Sequence, residues 1–338
     1  MEVLPERVFR TYRGGRLLEE RNGRVPAVDG SYPEEWILST VEAVSPDGQK
    51  AGLCKTLWGG RTAPLRELSG PLGVLAKVID SAERLSVQVH PDRRRAAEYF
   101  RSPYGKTESW HILGKREPDA CIYMGFRPGI TREQWRLYFE RQDIAAMLGC
   151  MHRIFVEAGE TYLIPGGLPH AIGAGCLLLE IQEPTDITLR VECATASGGR
   201  IPGRLIHQGI GCDRMFECFD YRGMDTEELL SRYRIGAAED SRDGVRWSRL
   251  IGRPQTDCFS LLFREVSEGI PGEILIGPEA RRYGLYVWDG EGELSCEGAR
   301  WPLKPGSQFY IPSGCLPFLI RAKRNLKIYR IEEGESCG

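Results

Sequence analysis

The 338-residue chain has no run of apolar residues approaching the eighteen or so that would argue for a membrane-spanning helix. Its opening residues, MEVLPERVFRTYRGG, lack the apolar stretch of a signal peptide, so export is not expected. A large charge of either sign is missing too. The 45 Lys and Arg against 47 Asp and Glu leave −2, with a pI near 6.3. No global basic field is available to capture nucleic acid or an anionic membrane, and neither is expected as a partner. The 11 cysteines form no Cys-x-x-Cys pair, and their number is odd. Cys54, Cys121, Cys176 and Cys258 therefore read as reduced, mostly buried thiols in a reducing compartment, the cytoplasm. Histidine is scarce: the 5 imidazoles are His90, His111, His152, His170 and His207, with none beyond. A metal held by imidazole must sit in the first part of the chain.

Glycine (40) and proline (21) are plentiful and dispersed, punctuating many short segments. Runs such as GVLAKVID, LSVQVH, ESWHIL, CIYMGF, TYLIP, LLLEIQ and TLRVEC are mostly rich in Val, Ile, Leu or aromatic residues and bounded by Gly, Pro or charged turns, which predicts strands. Helices are fewer. DRRRAAEYF follows a proline; ITREQWRLYFERQDIAAML begins at Thr131 with Gln134 three residues on; DTEELLSRYRI begins at Asp225 with Glu228 three on. Around 222–248 the texture turns polar, and strands such as FSLLFREV, YGLYVWDG and LKIYRIEE follow.

One turn is written twice. GETYLIPGGLPHAIGAG, from Gly159, and GSQFYIPSGCLPFLI, from Gly306, share a glycine, an Ile-Pro and a Leu-Pro, but the first then places His170 where the second places Phe318. A repeated supersecondary unit in a β-rich chain points to a mainly β fold of duplicated jelly-roll (cupin) barrels with a few helices. The expected division is an N-terminal barrel over 1–221 with a helical insertion around 130–149, a polar helical connector over 222–248, and a C-terminal barrel over 249–338 without metal ligands.

LSVQVHPD puts Gln88 and His90 two apart on a strand, hence on one face, with Ser86 on the same face and Val87 and Val89 on the other. GKTESWHIL supplies Glu108 among apolar neighbours, where a carboxylate needs a cation or hydrogen-bond donors. His170 comes from the turn after Ile-Pro. Singly, each is an ordinary strand or turn residue. Together, two imidazoles, a carboxylate and an amide suit a divalent transition ion, zinc best, with iron and manganese using similar sets. His111, His152 and His207 have no ligand-like company.

Taken in order, LSVQVHPD, GKTESWHIL, IPGGLPHAIGAG and LLLEIQEPTDITLR resemble the type I mannose-6-phosphate isomerases, zinc-dependent cupin-fold enzymes, in their compact bacterial form. The resemblance spans nearly the whole chain. It implies one zinc per chain on Gln88, His90, Glu108 and His170, and it implies that Arg190 and Lys106 face a sugar phosphate. The implied reaction interconverts mannose 6-phosphate and fructose 6-phosphate by moving a proton between C2 and C1 through an enediol. Glu180, an acid within the apolar strand LLLEIQ, is a candidate for that proton, or else orients a ligand or Arg190. Ser86 is placed to donate to substrate, and Asp186 to hold the loop against it. Arg93, Arg94 and Arg95 read as a solvated helix face.

The chain departs from the family pattern in three places. After Arg190 it reads VECATASGGR where the family has an aromatic, an acid and a second base, so that base is missing or displaced to Arg200. HPDRRRAA replaces a more acidic stretch, and TYRGG stands for Trp-Gly-Gly. The competing expectations are a sugar-phosphate-binding cupin without turnover and a metal-dependent oxygenase or lyase; the phosphate-facing Lys106 and Arg190 argue against the last. Monomer and dimer both stay open.

Overall fold

The computed structural model describes residues 1–44, 50–58, 60–242, 244–268, 274–276 and 281–334. Two antiparallel sheets build the first barrel. In the seven-stranded sheet, Glu108–Lys115 lies between Thr161–Ile164 and Cys176–Gln182; the latter pairs with Leu75–Asp80, which pairs with Glu34–Ile37. Cross-strand register aligns Trp110, Glu180, Lys77 and Trp36 in one row. Side chains alternate across a sheet, so Glu34, Trp36, Lys77, Glu108, Trp110 and Glu180 share one face. The alternate residues Ala76 and Leu179 pack in a core with Tyr286, Tyr329 and Ile331 of the second barrel.

The facing five-stranded sheet runs Met151–Phe155, Cys121–Phe126, His170–Ile172, Gln88–Val89, Leu189–Arg190. Its outer positions Val87, Val89, Ala171 and Leu189 join a core with Trp135, Met147 and Phe216 from covering helices. Those helices start where the sequence places their caps. Thr131 accepts from the Gln134 amide ahead of Arg132–Arg141, Asp92 from Arg95 ahead of Arg93–Phe100, and Asp225 from Glu228 ahead of Thr226–Tyr233. The long helix expected from Thr131 is broken, because Gln142 is left-handed and Asp143 caps a new helix, Ile144–Gly149.

Three expectations differ from the structure. LSVQVH and TLRVEC shrink to Gln88–Val89 and Leu189–Arg190, since the Glu192 carboxylate takes the Val87 amide that a longer ladder would use (2.7 Å). The stretch 222–248, expected as a polar helical connector, holds one helix and then the strands Arg234–Ile235, Ala238–Arg242 and the start of Val245–Ile251. The charged residues Arg234, Glu239 and Asp240 sit exposed on edge strands, which makes β-structure look like a solvated linker. The sheet of the second barrel, eleven-stranded among the described residues, also recruits Glu2–Val3, Lys55–Trp58 and Arg61–Pro64 from the first 64 residues.

The repeated turn occupies equivalent places in the two barrels. Gly159 and Gly306 both take positive φ (94° and 89°), and their amides bond Ile112 and Val287 of a neighbouring strand. The turn then delivers His170 to the start of His170–Ile172 and Phe318 to the start of Phe318–Glu333. Phe318 is buried in the second barrel's own apolar core.

Candidate metal centre and its cleft

His170 lies opposite Gln88, and Gln88 lies opposite Arg190 on its other side. One short strand thus sets an imidazole, an amide and a guanidinium side by side on the inner face. Glu108 reaches the same point from the facing sheet. His90 Nε2 is 3.2 Å from His170 Nε2 and 3.2 Å from Glu108 Oε2, and His170 Nε2 is 3.3 Å from Glu108 Oε1. His90, Glu108 and His170 are all buried and close enough to share one ion.

The ring orientations are set from behind. His90 Nδ1 is 2.8 Å from the Ile187 carbonyl and His170 Nδ1 is 2.8 Å from the Leu168 carbonyl. A carbonyl only accepts, so each Nδ1 carries the hydrogen and each Nε2 turns a lone pair inward. Burial, reinforced by the Lys106 ammonium, pushes the His90 pKa down to about 3, and burial lowers that of His170, so both rings are neutral. Glu108 is held well below the carboxylate range: burial opposes this, but the Lys106 ammonium beside it outweighs burial. Glu108 Oε1 is buried with no hydrogen bond. Gln88 places its amide 3.3 Å from His170 Nε2, and a flip of that amide turns its oxygen to the same centre. Converging lone pairs around an orphaned carboxylate oxygen fit a divalent cation.

A cleft of about 200 Å³ opens over this cluster. Ser86, Gln88, Lys106, Glu180, Asp186 and Arg190 all line it. Lys106 Nζ lies 2.8 Å from His90 Nε2 and donates to Glu108 Oε2 at 2.9 Å, so its charge is on the metal cluster as much as in the cleft. Arg190 donates to the Leu205 carbonyl (2.8 Å) and makes no ion pair among the described residues; burial draws its pKa down to about 10, leaving it cationic at neutral pH. Glu180 accepts from the Trp110 indole (3.0 Å) and pairs with Lys77 (3.0 Å), while burial and then the charge of Glu108 raise its pKa.

Several lining residues lay outside the sequence expectation. Arg10 binds Asp186 and Glu34, and Lys77 bridges Glu180 and, at 3.6 Å, Glu34. A lysine inside the apolar run LAKVID and a glutamate pair before Trp36 are the signals that mark them. Arg200 is exposed and away from the cleft, whereas Arg84, paired with Glu192 at 2.6 Å, lines it. Arg93 is only partly solvated, since it also binds Glu183 and the Cys258 thiol of the second barrel. His111, His152 and His207 bond Thr161, Thr226 and backbone amides, away from the cluster.

Fold and site together define a double-barrelled cupin protein with a candidate metal centre at the base of a cationic cleft. No family model matches the chain. It is 36% identical over 241 residues to the mannose-6-phosphate isomerase of Streptococcus mutans, covering 71% of this chain and 68% of that protein. It is 26% identical over 324 residues to the putative mannose-6-phosphate isomerase YvyI of Bacillus subtilis, covering 94% and 95%. Among solved structures it superimposes on the mannose 6-phosphate isomerase of Bacillus subtilis with a TM-score of 0.75 at 22% identity, over 98% of each chain. A zinc-bound mannose 6-phosphate isomerase matches with a TM-score of 0.72 at 16% identity, over 98% of this chain and 99% of that one. The chain belongs to the mannose-6-phosphate isomerase family.

Proposed function

We propose that the protein interconverts mannose 6-phosphate and fructose 6-phosphate, with one zinc held by Gln88, His90, Glu108 and His170. The observation that carries this reading is the buried convergence of two neutral imidazoles and an orphaned carboxylate oxygen beneath a cleft that presents Arg190. Zinc held by these residues would supply Lewis acidity for the oxygens of the open-chain sugar.

The protein's own groups account for the rest. Arg190, a planar fork without a carboxylate partner among the described residues, is the anchor for the phosphate, with Ser86 donating beside it. Lys106 adds positive charge between cluster and cleft. Glu180, a buried carboxylate that lines the cleft, is assigned the proton that moves between C2 and C1. Lys77 holds Glu180 in place, and Asp186 lines the cleft near Arg190. A binding-only protein has no use for a poised carboxyl facing the sugar. Free thiols at Cys54, Cys121, Cys150, Cys176, Cys218 and Cys258 support residence in the reducing cytoplasm; Cys337 lies outside the described residues.

Metal analysis should find one zinc per chain, and a coupled isomerase assay with mannose 6-phosphate should show turnover that chelation abolishes. His170→Ala should lose both zinc and turnover. Zinc-loaded protein inactive on every aldose phosphate tested would sink the proposal.

A further inference from the structure

Arg10 is a charged group at the cleft that the reaction as described leaves unused. Its two terminal nitrogens donate to the two oxygens of Asp186 at 3.1 and 3.2 Å, while Nε lies 2.9 Å from Glu34 Oε2. The plane of the guanidinium is further fixed over the Trp36 ring, 5.2 Å from its centre. Both ends of this bridge lead to functional groups. Asp186 immediately precedes Ile187, whose carbonyl orients His90 through Nδ1 at 2.8 Å. Glu34 Oε2 lies 3.6 Å from Lys77 Nζ, and Lys77 pairs with Glu180 at 3.0 Å. Among the described residues, Arg10 is the side chain that hydrogen-bonds the Asp186 carboxylate.

We propose that Arg10 is a positioning residue for the isomerisation, its guanidinium tying Asp186 to Glu34 so that the loop behind His90 and the Lys77–Glu180 pair are held in one geometry. This rests on reading the cleft as the isomerase site. With three of its nitrogens already facing carboxylates, Arg10 is a tether rather than the phosphate anchor, a role left to Arg190. Without it, Asp186 loses its cation, the Ile187 carbonyl is no longer pinned against His90, and Lys77 is drawn toward Glu34 and away from Glu180. Lysine keeps the charge but not the fork that spans three oxygens on two residues.

The test compares Arg10→Met, Arg10→Lys, Asp186→Asn and the double variant Arg10→Met with Asp186→Asn. Zinc affinity is read by competition with a chelator, and kcat and KM with mannose 6-phosphate. Arg10→Met should weaken zinc binding and lower kcat by roughly 10- to 100-fold each, the usual effect of removing support for a metal-ligating histidine, with little change in KM. Arg10→Lys should recover only part of this. In the double variant the zinc loss should be no greater than in Asp186→Asn alone, because the two act as a unit. Parental zinc affinity and kcat in Arg10→Met, additive losses in the double variant, or a defect confined to KM would each overturn the proposal. If Arg10→Met does not fold, Arg10→Lys and Asp186→Asn decide it on the same readouts. An inactive parent protein would defeat the functional reading instead, while zinc affinity still reports on Arg10.

Discussion

At the scale of single residues, the cleft is governed by charges that water does not reach. Glu34 accepts from the Tyr12 hydroxyl (2.7 Å) and the Trp36 indole (2.8 Å) and faces Arg10 and Lys77. Burial alone would raise its pKa, but Arg10 and then Lys77 outweigh burial and hold it well below the usual carboxylate range. A depressed carboxylate pKa stabilises the fold above the unfolded value and loses that contribution as pH falls below about 4.5. Glu34→Gln should therefore cost about 3 kcal/mol near neutrality, as removing one partner from a buried ionic cluster does. The gap between parent and variant should narrow as pH drops below about 4.5. Urea titrations over a pH series measure it, and a gap that stays constant down to acid unfolding would contradict this account. Tyr12 and Lys77 belong to the same cluster; burial is the chief reason the Tyr12 pKa lies well above its usual value. The residue-scale logic of the site is that every buried carboxylate has a named cation, except the Glu108 oxygen left for a metal.

At the scale of elements, period and capping did most of the work. Alternation put Gln88 inward and Val87 and Val89 outward, and the structure buries those valines under the helices. The caps Thr131 and Asp225 were readable because a short polar side chain three residues ahead of an amide closes a local ring that needs no tertiary partner. Asp225→Ala should cost about 1 kcal/mol, leave zinc content unchanged, and show as a small shift in the urea midpoint. A loss several times larger would mean that the helix does more than cover the barrel edge. Strand lengths were less legible. A side-chain carboxylate, Glu192, stands in for a ladder bond at Val87, and nothing in the local pattern announces that substitution. The strands after Tyr233 were hidden for a related reason: edge strands carry charges that read as linker.

At the scale of the molecule, the two barrels are interlocked rather than merely joined. The outer face of the seven-stranded sheet shares its apolar core with Tyr286, Tyr329 and Ile331, and the N-terminal strands pair into the second sheet. Arg21, at the end of helix Arg16–Arg21, crosses between them. It lies 4.3 Å from the Trp288 ring centre, donates to the Val287 and Trp288 carbonyls at 2.7 and 2.9 Å, and bonds the Tyr286 hydroxyl. Arg21→Ala should lower the stability by about 2 kcal/mol, since it removes charged hydrogen bonds and a cation–π contact together. The change should appear in urea or thermal unfolding with zinc content preserved. An unchanged midpoint would show that the shared apolar core alone holds the barrels.

The doubled turn marks what the sequence decided unaided. Two copies of one glycine–Ile-Pro–Leu-Pro phrase, with an imidazole in the first and a phenylalanine in the second, specify repeated barrels that differ in what each turn delivers, because backbone turns and side-chain alternation are local properties. Gln88, His90, Glu108 and His170 were likewise visible as residue types on strand faces. Their convergence needed two sheets to close on each other: His90 and Glu108 are eighteen residues apart in sequence yet meet across the barrel at 3.2 Å. The cradle of Arg10, Glu34, Lys77 and Asp186 was decided by tertiary structure alone, since its members come from four distant segments. Their charges are tolerable only where burial strengthens each attraction enough to offset the loss of water.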